Sequence, residues 1–280
     1  MAKTTRSKAA SSSKGRASKP SKSKRKKSPV DDLIAQKNGP AIVGPSRSGS
    51  RWRRMTRWLV KRLVIVALIL VLLPFALIAL YTVPAVNPVS ALMVWQRVSG
   101  TEITREWVAL DDISPFVVQS IVSSEDGKFC SHSGVDWDAV NTVVSDVLEG
   151  ERPRGASTVS MQAAKNLFLW NSRSVLRKGL EVPLALAADK VWGKRRMMEI
   201  YLNIAEWGPG IFGIDAAAQH HFGRSAKKLS RRQASRLAVV LPSPLTRNPA
   251  KPSRSLARMA RRVEGRAKQS GAYIRCLKPQ

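Results

Sequence analysis

The chain has 280 residues, 44% of them hydrophobic, and carries 48 Lys+Arg against 19 Asp+Glu, a formal net charge of +29. That length allows one medium domain plus extensions, and the apolar content is enough for a globular core, which excludes a wholly disordered chain. More than half of the charge excess lies in residues 1–62, which hold 19 Lys+Arg and two acids, Asp31 and Asp32.

Residues 1–62 read as a disordered basic tail. The stretch SKAASSSKGRASKPSKSKRKKSP has almost no apolar side chain, so it cannot offset its own ordering entropy. Such a tail suits either a nucleic-acid arm held by counterion release or the flank of a membrane segment. The next stretch favours the membrane, because no charged residue occurs from Leu63 to Gln96. The apolar run LVIVALILVLLPFALIALYTV, as a helix rising ~1.5 Å per residue, spans about 30 Å, the hydrocarbon thickness of a bilayer. Pro74 is tolerable within it. A buried core helix is the plainer alternative, but it would rarely lack any polar face. A cleaved signal peptide would use VSA at Val89–Ala91, yet the preceding tail is too long for an n-region.

Residues 63–84 are therefore read as an uncleaved transmembrane signal anchor. The basic flank RWRRMTRWLVKR precedes the span and the first charge after it is Arg97. The positive-inside rule then puts the N-terminus in the cytoplasm and residues from 85 onward outside, in the periplasm of a bacterium with an outer membrane. Trp52, Trp58 and Tyr81 suit the interfacial belts. A disulfide could form there, but with only Cys130 and Cys276, far apart in sequence, none is assumed.

Residues 85–250 read as mostly helical, with apolar residues at three-to-four spacing and little period-two alternation. ISPFVVQSIVSSEDG predicts a helix with Ser114 as N-cap, Pro115 at its first position and Gly127 at its end. GASTVSMQAAKNLFLW predicts a helix capped by Ser157. SVLRKGLEVPLALAADKVWGKRRMMEIYLN predicts one long helix or two, since Pro183 and Gly193 both threaten it. GPGIFGIDAAAQHHFG predicts a glycine-rich turn entering a helix, and LSRRQASRLAVVLP a helix capped by Ser230 and stopped at Pro242. Residues 251–280 form a basic C-terminal tail, helical and surface-exposed at best.

Four acids crowd into the otherwise basic chain at SSEDGKFCSHSGVDWDAV, beside His132 and Cys130. Val118, Ile121, Val122 and Glu125 share a helix face, so Glu125 points where the apolar residues point. It also lies near a helix C-terminus. Both effects raise a glutamate's pKa and suit a general base. A solvated acidic helix end is the competing reading. Asp126, about 100° round the helix, is expected outside that environment. His132 has no HxxxH or CxxC partner and is read as structural, bonding a loop. Thr158, Gln162 and Lys165, at i, i+4 and i+7, form a polar stripe that is either solvated or suited to a phosphate-bearing ligand. Arg173, Arg177 and Glu181 follow at four-residue steps, which spacing alone reads as a surface ion-pair ladder.

These segments together resemble the peptidoglycan glycosyltransferases of glycosyltransferase family 51. EDGKFCSHSG follows E-D-x-x-F-x-x-H-x-G, and GASTVSMQAAKN is similar to G-G-S-T-I-T-Q-Q-x-x-K-N, with Ala156 and Met161 as departures. RKGLE follows R-K-x-x-E, with Pro183 unexpected beyond it. KRRMMEIYLN and GIFGIDAAAQHHFG resemble the fourth and fifth motifs. The wording of the last motif resembles the monofunctional, Gram-negative branch.

The resemblance implies an all-α fold, a lysozyme-like glycosyltransferase head on a single N-terminal transmembrane helix. It implies polymerisation of lipid II into β-1,4-linked glycan with release of undecaprenyl pyrophosphate. Glu125 takes the place of the catalytic base, Lys165 and Arg173 of pyrophosphate ligands, and Glu181 of a second catalytic carboxylate. Asp126, Phe129, His132 and Gly134 support the first motif, Ser157, Thr158, Gln162 and Asn166 the second, Arg177 and Lys178 the third, and Glu199, Tyr201 and Asn203 the fourth. A divalent cation, Mg²⁺ or Mn²⁺, is implied, held mainly by substrate pyrophosphate, with no protein metal ligand assigned. The implied partners are lipid II, the growing glycan, inner-membrane lipids and cell-division or elongation proteins, and no nucleic acid is expected. Two rivals stay open: a lytic transglycosylase, which shares the lysozyme-like plan but cleaves glycan, and a membrane-anchored basic scaffold.

Overall fold

The computed structural model describes residues 49–151, 155–172 and 174–278. The expected disorder of the tail up to residue 48 and the placement of Arg173 lie outside the described residues, whereas residues 49–62, read as part of that disordered tail, are helical. The chain divides into two units, Met1–Val60 and Lys61–Gln280. Of the first, the structure describes only the opening turns of helix α1, Gly49–Leu80.

Helix α1 contains a segment, Arg51–Leu80, long and apolar enough to cross a membrane, and Pro74 sits within it without ending it. Its side chains from Leu63 to Leu73 are exposed, as expected of a surface meant for lipid rather than for a protein core. Only its last turns meet the rest of the second unit. Ile78 is buried, and its carbonyl accepts a 2.7 Å hydrogen bond from Trp192 Nε1. The carbonyls of Tyr81, Val83 and Val86 accept from the Arg196 guanidinium. A helix end leaves carbonyls without intrahelical partners; Trp192 donates to one of them, Ile78 O, and Arg196 serves carbonyls of the segment that follows.

Beyond α1 the chain is built from helices α2 Ala91–Val98, α3 Pro115–Glu125, α4 Trp137–Leu148, α5 Val159–Phe168, α6 Val175–Ile204, α7 Ile214–Phe222, α8 Arg231–Ala238 and α9 Arg254–Lys268. Ser114 precedes Pro115 as expected, but α3 ends one residue earlier than Gly127 suggested, with Asp126 as its C-cap. The cap of α5 is Thr158, not Ser157: the Thr158 hydroxyl accepts from Met161 N at 3.1 Å. Ser157 is instead turned to a lysine described below. Ser230 caps α8 with a reciprocal capping box through Gln233. Pro183 is carried within α6, and the break comes at Gly193, whose φ of 67° and ψ of 172° are non-helical.

Two further features depart from the sequence reading. A small three-stranded sheet joins β1 Thr104–Arg105, β2 Glu206–Gly208 and β3 Ile211–Phe212 in the order β1-β3-β2, with β1 parallel and β2 antiparallel to β3. Strands of two or three residues are too short to show alternation. Gly210 makes the turn, at φ +70°, where a Cβ would stand 2.3 Å from Glu102 O. The second departure is the C-terminal segment. It is not an exposed tail: Leu256, Ala260, Val263 and Ala267 of α9 are buried in packing against α3 and α8. Cys130 and Cys276 form a disulfide across 146 residues, with Cα atoms 5.7 Å apart. Sequence distance said nothing about spatial distance once α9 folded back onto α3.

The core lies where α3, α5, α6 and α8 meet, around Ile121, Phe129, Val159, Met197, Ile200, Leu202 and Leu237. Met161, the departure in the second motif, is part of it at 2% exposure.

Candidate active site

Glu125 sits in the last turn of α3, half-buried, where Val118, Ile121 and Val122 of the same face enter the core. Its Oε1 accepts from Ser124 Oγ at 3.0 Å and its Oε2 from Gln162 Nε2 at 3.2 Å. Gln162 is held the right way round for this, because its Oε1 accepts from Tyr201 OH at 2.9 Å. Burial pushes the Tyr201 hydroxyl far above its usual range, so it stays a donor. Burial also raises the Glu125 pKa, against the two hydrogen bonds and the Arg247 charge, which pull it down. The apolar face thus has the effect expected of it, and a carboxyl poised this way is a stronger base once ionised.

Asp126 corrects the expectation that it stays outside this environment. As the C-cap it turns inward, 7% exposed, and accepts from Val159 N at 2.9 Å while its two oxygens lie 2.9 and 3.0 Å from His132 Nε2. It therefore ties the end of α3 to the first turn of α5. His132 is structural in this sense. Its own carbonyl accepts from Lys194 Nζ at 2.6 Å, and that ammonium also reaches Asp189 Oδ1 at 2.7 Å and lies over the Phe129 ring. Gly134 takes φ +82° in the same loop, and a Cβ there would stand 2.7 Å from Ala185 O of α6. The Thr158 hydroxyl donates to Gly134 O at 2.6 Å. The first-motif loop is thus bound to α5 and α6 at several points.

A cleft of about 180 Å³ opens beside Gln162 and Tyr201. Lys165, Asn166 and Asn171 supply polar walls, and Leu92, Leu169, Trp170, Leu241 and Pro242 apolar ones. Burial and the nearby Arg177 charge lower the Lys165 pKa. A second cationic group lies close by. Glu181, 2% exposed, pairs with Arg177 and, at 2.7 Å, with Lys178 Nζ, which also donates to Ser157 Oγ at 2.8 Å. Burial, then Arg177 and Lys165, bring the Lys178 pKa down to about 8. Two of the positions anticipated as an ion-pair ladder are thus a buried cluster facing Lys165.

Glu199 and Asn203 do not reach the cleft. Glu199 pairs with Arg196 and accepts from Leu110 N at 3.1 Å. Asn203 clasps Val108 through its N–H and its carbonyl at 2.9 and 2.8 Å. Both fasten the segment before α3 to α6. Sequence reasoning missed Glu206, which lines the cleft, accepts from Gln96 Nε2 at 2.8 Å and is raised in pKa by burial. An acid inside the otherwise uncharged run YLNIAEWG was the available signal. It also missed Arg247, whose charge acts on Glu125 from a loop with no periodic pattern.

A family model described as transglycosylase matches residues 93–268, which contain Glu125, Gln162, Lys165, Lys178, Glu181 and Tyr201. The chain belongs to the transglycosylase family. Its lysozyme-like head, mostly helical, is the fold anticipated. Curated relatives agree over nearly their whole length. The biosynthetic peptidoglycan transglycosylase of Agrobacterium fabrum is 58% identical over 221 residues, 79% of this chain and 98% of that protein. That of Rhizobium meliloti is 56% identical over 230 residues, 81% of this chain and 98% of that protein. That of Brucella suis biovar 1 is 56% identical over 213 residues, 76% and 95% respectively. This transglycosylase is an enzyme, a glycosyltransferase, and its cleft is lined by Lys165 and by Gln162, the amide that donates to Glu125.

Proposed function

We propose that this transglycosylase builds peptidoglycan by polymerising lipid II into β-1,4-linked glycan strands, releasing undecaprenyl pyrophosphate. The observation that carries the reading is Glu125, half-buried and oriented by Gln162 and Tyr201 next to a cleft walled by Lys165. In this reading Glu125 takes the proton of the acceptor sugar's 4-hydroxyl as it attacks the donor's anomeric carbon. Lys165 and Arg173 meet the charge that grows on the leaving pyrophosphate, and the Arg177 and Lys178 charges lie near Lys165. Glu181 serves by holding Arg177 and Lys178 in place.

A divalent cation, Mg²⁺ or Mn²⁺, would enter with the pyrophosphate. Among the described residues no group of three His, Cys, Asp or Glu side chains is placed to hold a metal, and Glu181 is already engaged by two cations. The residues do not fit a protein-built metal site, and no step is routed through one.

The head is assigned to the periplasmic side of the inner membrane, with the N-terminus cytoplasmic. The basic flank of α1 supports that orientation. So does the Cys130–Cys276 bridge, since such bridges persist in oxidising compartments. Partners in this setting are the membrane lipids, the growing glycan and cell-division or elongation proteins. Nucleic acid has no part in it.

The test is to give the purified chain lipid II in one assay and finished peptidoglycan in another. Polymer from the first and no fragments from the second is the expected outcome. Soluble fragments from finished peptidoglycan would transfer the assignment to lytic cleavage.

A further inference from the structure

Helix α9 carries six exposed cations, Arg254, Arg258, Arg261, Arg262, Arg266 and Lys268, against one acid, Glu264. At 100° per residue these six fall within an arc of about 160°, opposite the buried Leu256, Ala260, Val263 and Ala267, and extend over about 20 Å of helix. Among the described residues, none of the six side chains takes part in an ion pair or hydrogen bond. Packing explains the apolar side of α9 and leaves this face unexplained. Six cations repel one another along one helix, a cost that a bound polyanion would remove.

Two shallow grooves run along the same helix and share Arg266 and Gln269. One is lined by Met259, Arg262 and Gly265, the other by Val122, Ser123, Gly127 and Tyr273. The second therefore reaches the turn that follows Glu125. The disulfide at Cys276 fastens the chain just beyond α9 to Cys130 of the same first-motif loop. The basic face is thus held beside the reaction site rather than on a loose tail.

We propose that the α9 face is a track for the nascent glycan strand, with its arginines pairing to the carboxylates of the stem peptides. This rests on the polymerase reading and adds a product-binding surface to it. A line of charges along one helix suits a strand. It does not suit insertion into lipid, because an interfacial helix needs an apolar face toward the acyl chains, and that face of α9 is used up inside the protein. Each exposed pair contributes little alone, so the grip comes from several weak contacts along one polymer and weakens with salt.

The experiment uses the full chain in neutral detergent and finished, uncross-linked glycan strands bearing stem peptides, with carboxylates either free or converted to methylamides. The triple variant Arg258→Gln, Arg262→Gln, Arg266→Gln is compared with wild type. It should melt with the wild type, because these side chains are exposed and unpaired. Expected are affinities at least ~tenfold weaker for the variant on free strands and for the wild type on capped strands. Equal affinity of variant and wild type, or of free and capped strands, overturns the proposal. So does a difference between the two proteins that appears with phosphatidylglycerol mixed micelles and not with strands, which would give the face to lipid. No catalysis is involved, so failure of lipid II polymerisation and failure of strand binding are read separately.

Discussion

Breaking the Cys130–Cys276 bridge should cost much of the head's stability. The bridge closes a loop of 146 residues that contains Gln162, Lys165, Glu181 and Tyr201, though not Glu125. In the chain-entropy account a loop of that length restricts the unfolded state by about 5 kcal/mol. For a domain of this size each kcal/mol is worth ~2–4 °C, so reduction should lower the melting temperature by about 10–20 °C. The bond also works with non-covalent fasteners: Ile274 and Leu277 are buried, and Leu277 O accepts from Arg195 at 2.7 Å. These keep the segment docked in the folded state, which is why the effect belongs mostly to the unfolded chain. The assay is a tryptophan-fluorescence melt in detergent, with and without reductant, on wild type, Cys130→Ser, Cys276→Ser and the double variant. All three variants should melt together, and with reduced wild type, because each loses the same single bridge. A reduced wild type melting within about 2 °C of the oxidised protein, less than ~1 kcal/mol, would refute the reasoning.

Three further outcomes follow from the site. Gly134→Ala should destabilise by at least ~1–3 kcal/mol in a urea melt, since the residue sits at φ +82° and its new methyl meets Ala185 O. Asp126→Ala should cost about 1–3 kcal/mol by leaving Val159 N and His132 without their buried acceptor, and should lower activity along with stability. The pH–rate profile should be bell-shaped. Burial raises the Glu125 pKa, so the base is ionised, and the rate climbs, at higher pH than for a free glutamate. Lys178 then loses its proton at about 8, and the rate falls as the cationic cluster weakens. In Lys178→Arg, whose side chain stays charged, the alkaline limb should move to higher pH. An unmoved limb would remove Lys178 from the cluster's chemistry.

Much of the site was legible in the sequence because helix periodicity is a strong signal. The spacing from Val118 to Glu125 placed one carboxylate on an apolar face, and the spacing from Gln162 to Lys165 placed an amide and a cation on one polar stripe. What periodicity cannot carry is the meeting of distant elements. Asp126 looked like a solvated neighbour of Glu125, because a C-cap leaves the helical path and its direction is set by what it caps, here α5. Cys130 and Cys276 looked unrelated because the fold-back of α9 onto α3 is a tertiary event. The amphipathic pattern of α9 was present in RSLARMARRVEGRAK, but its high charge made it read as a tail. Glu206 and Arg247 came from a short strand and a loop, where there is no period to read. The switch of the α5 cap from Ser157 to Thr158 is a one-residue matter: Thr158 accepts from Met161 N, and Ser157 accepts from Lys178.

The central claim is that Glu125 is the base that lets an acceptor sugar attack a lipid-linked donor. The most direct test is Glu125→Gln, which keeps the shape and the bonds to Ser124 and Gln162 within reach while removing the basic oxygen. Incubated with purified lipid II beside wild type, with and without divalent metal, it should melt no lower than wild type, because an uncharged amide replaces a carboxyl whose ionisation burial opposes. It should form no glycan strands under either condition. Strand formation at the wild-type rate by this variant would contradict the account.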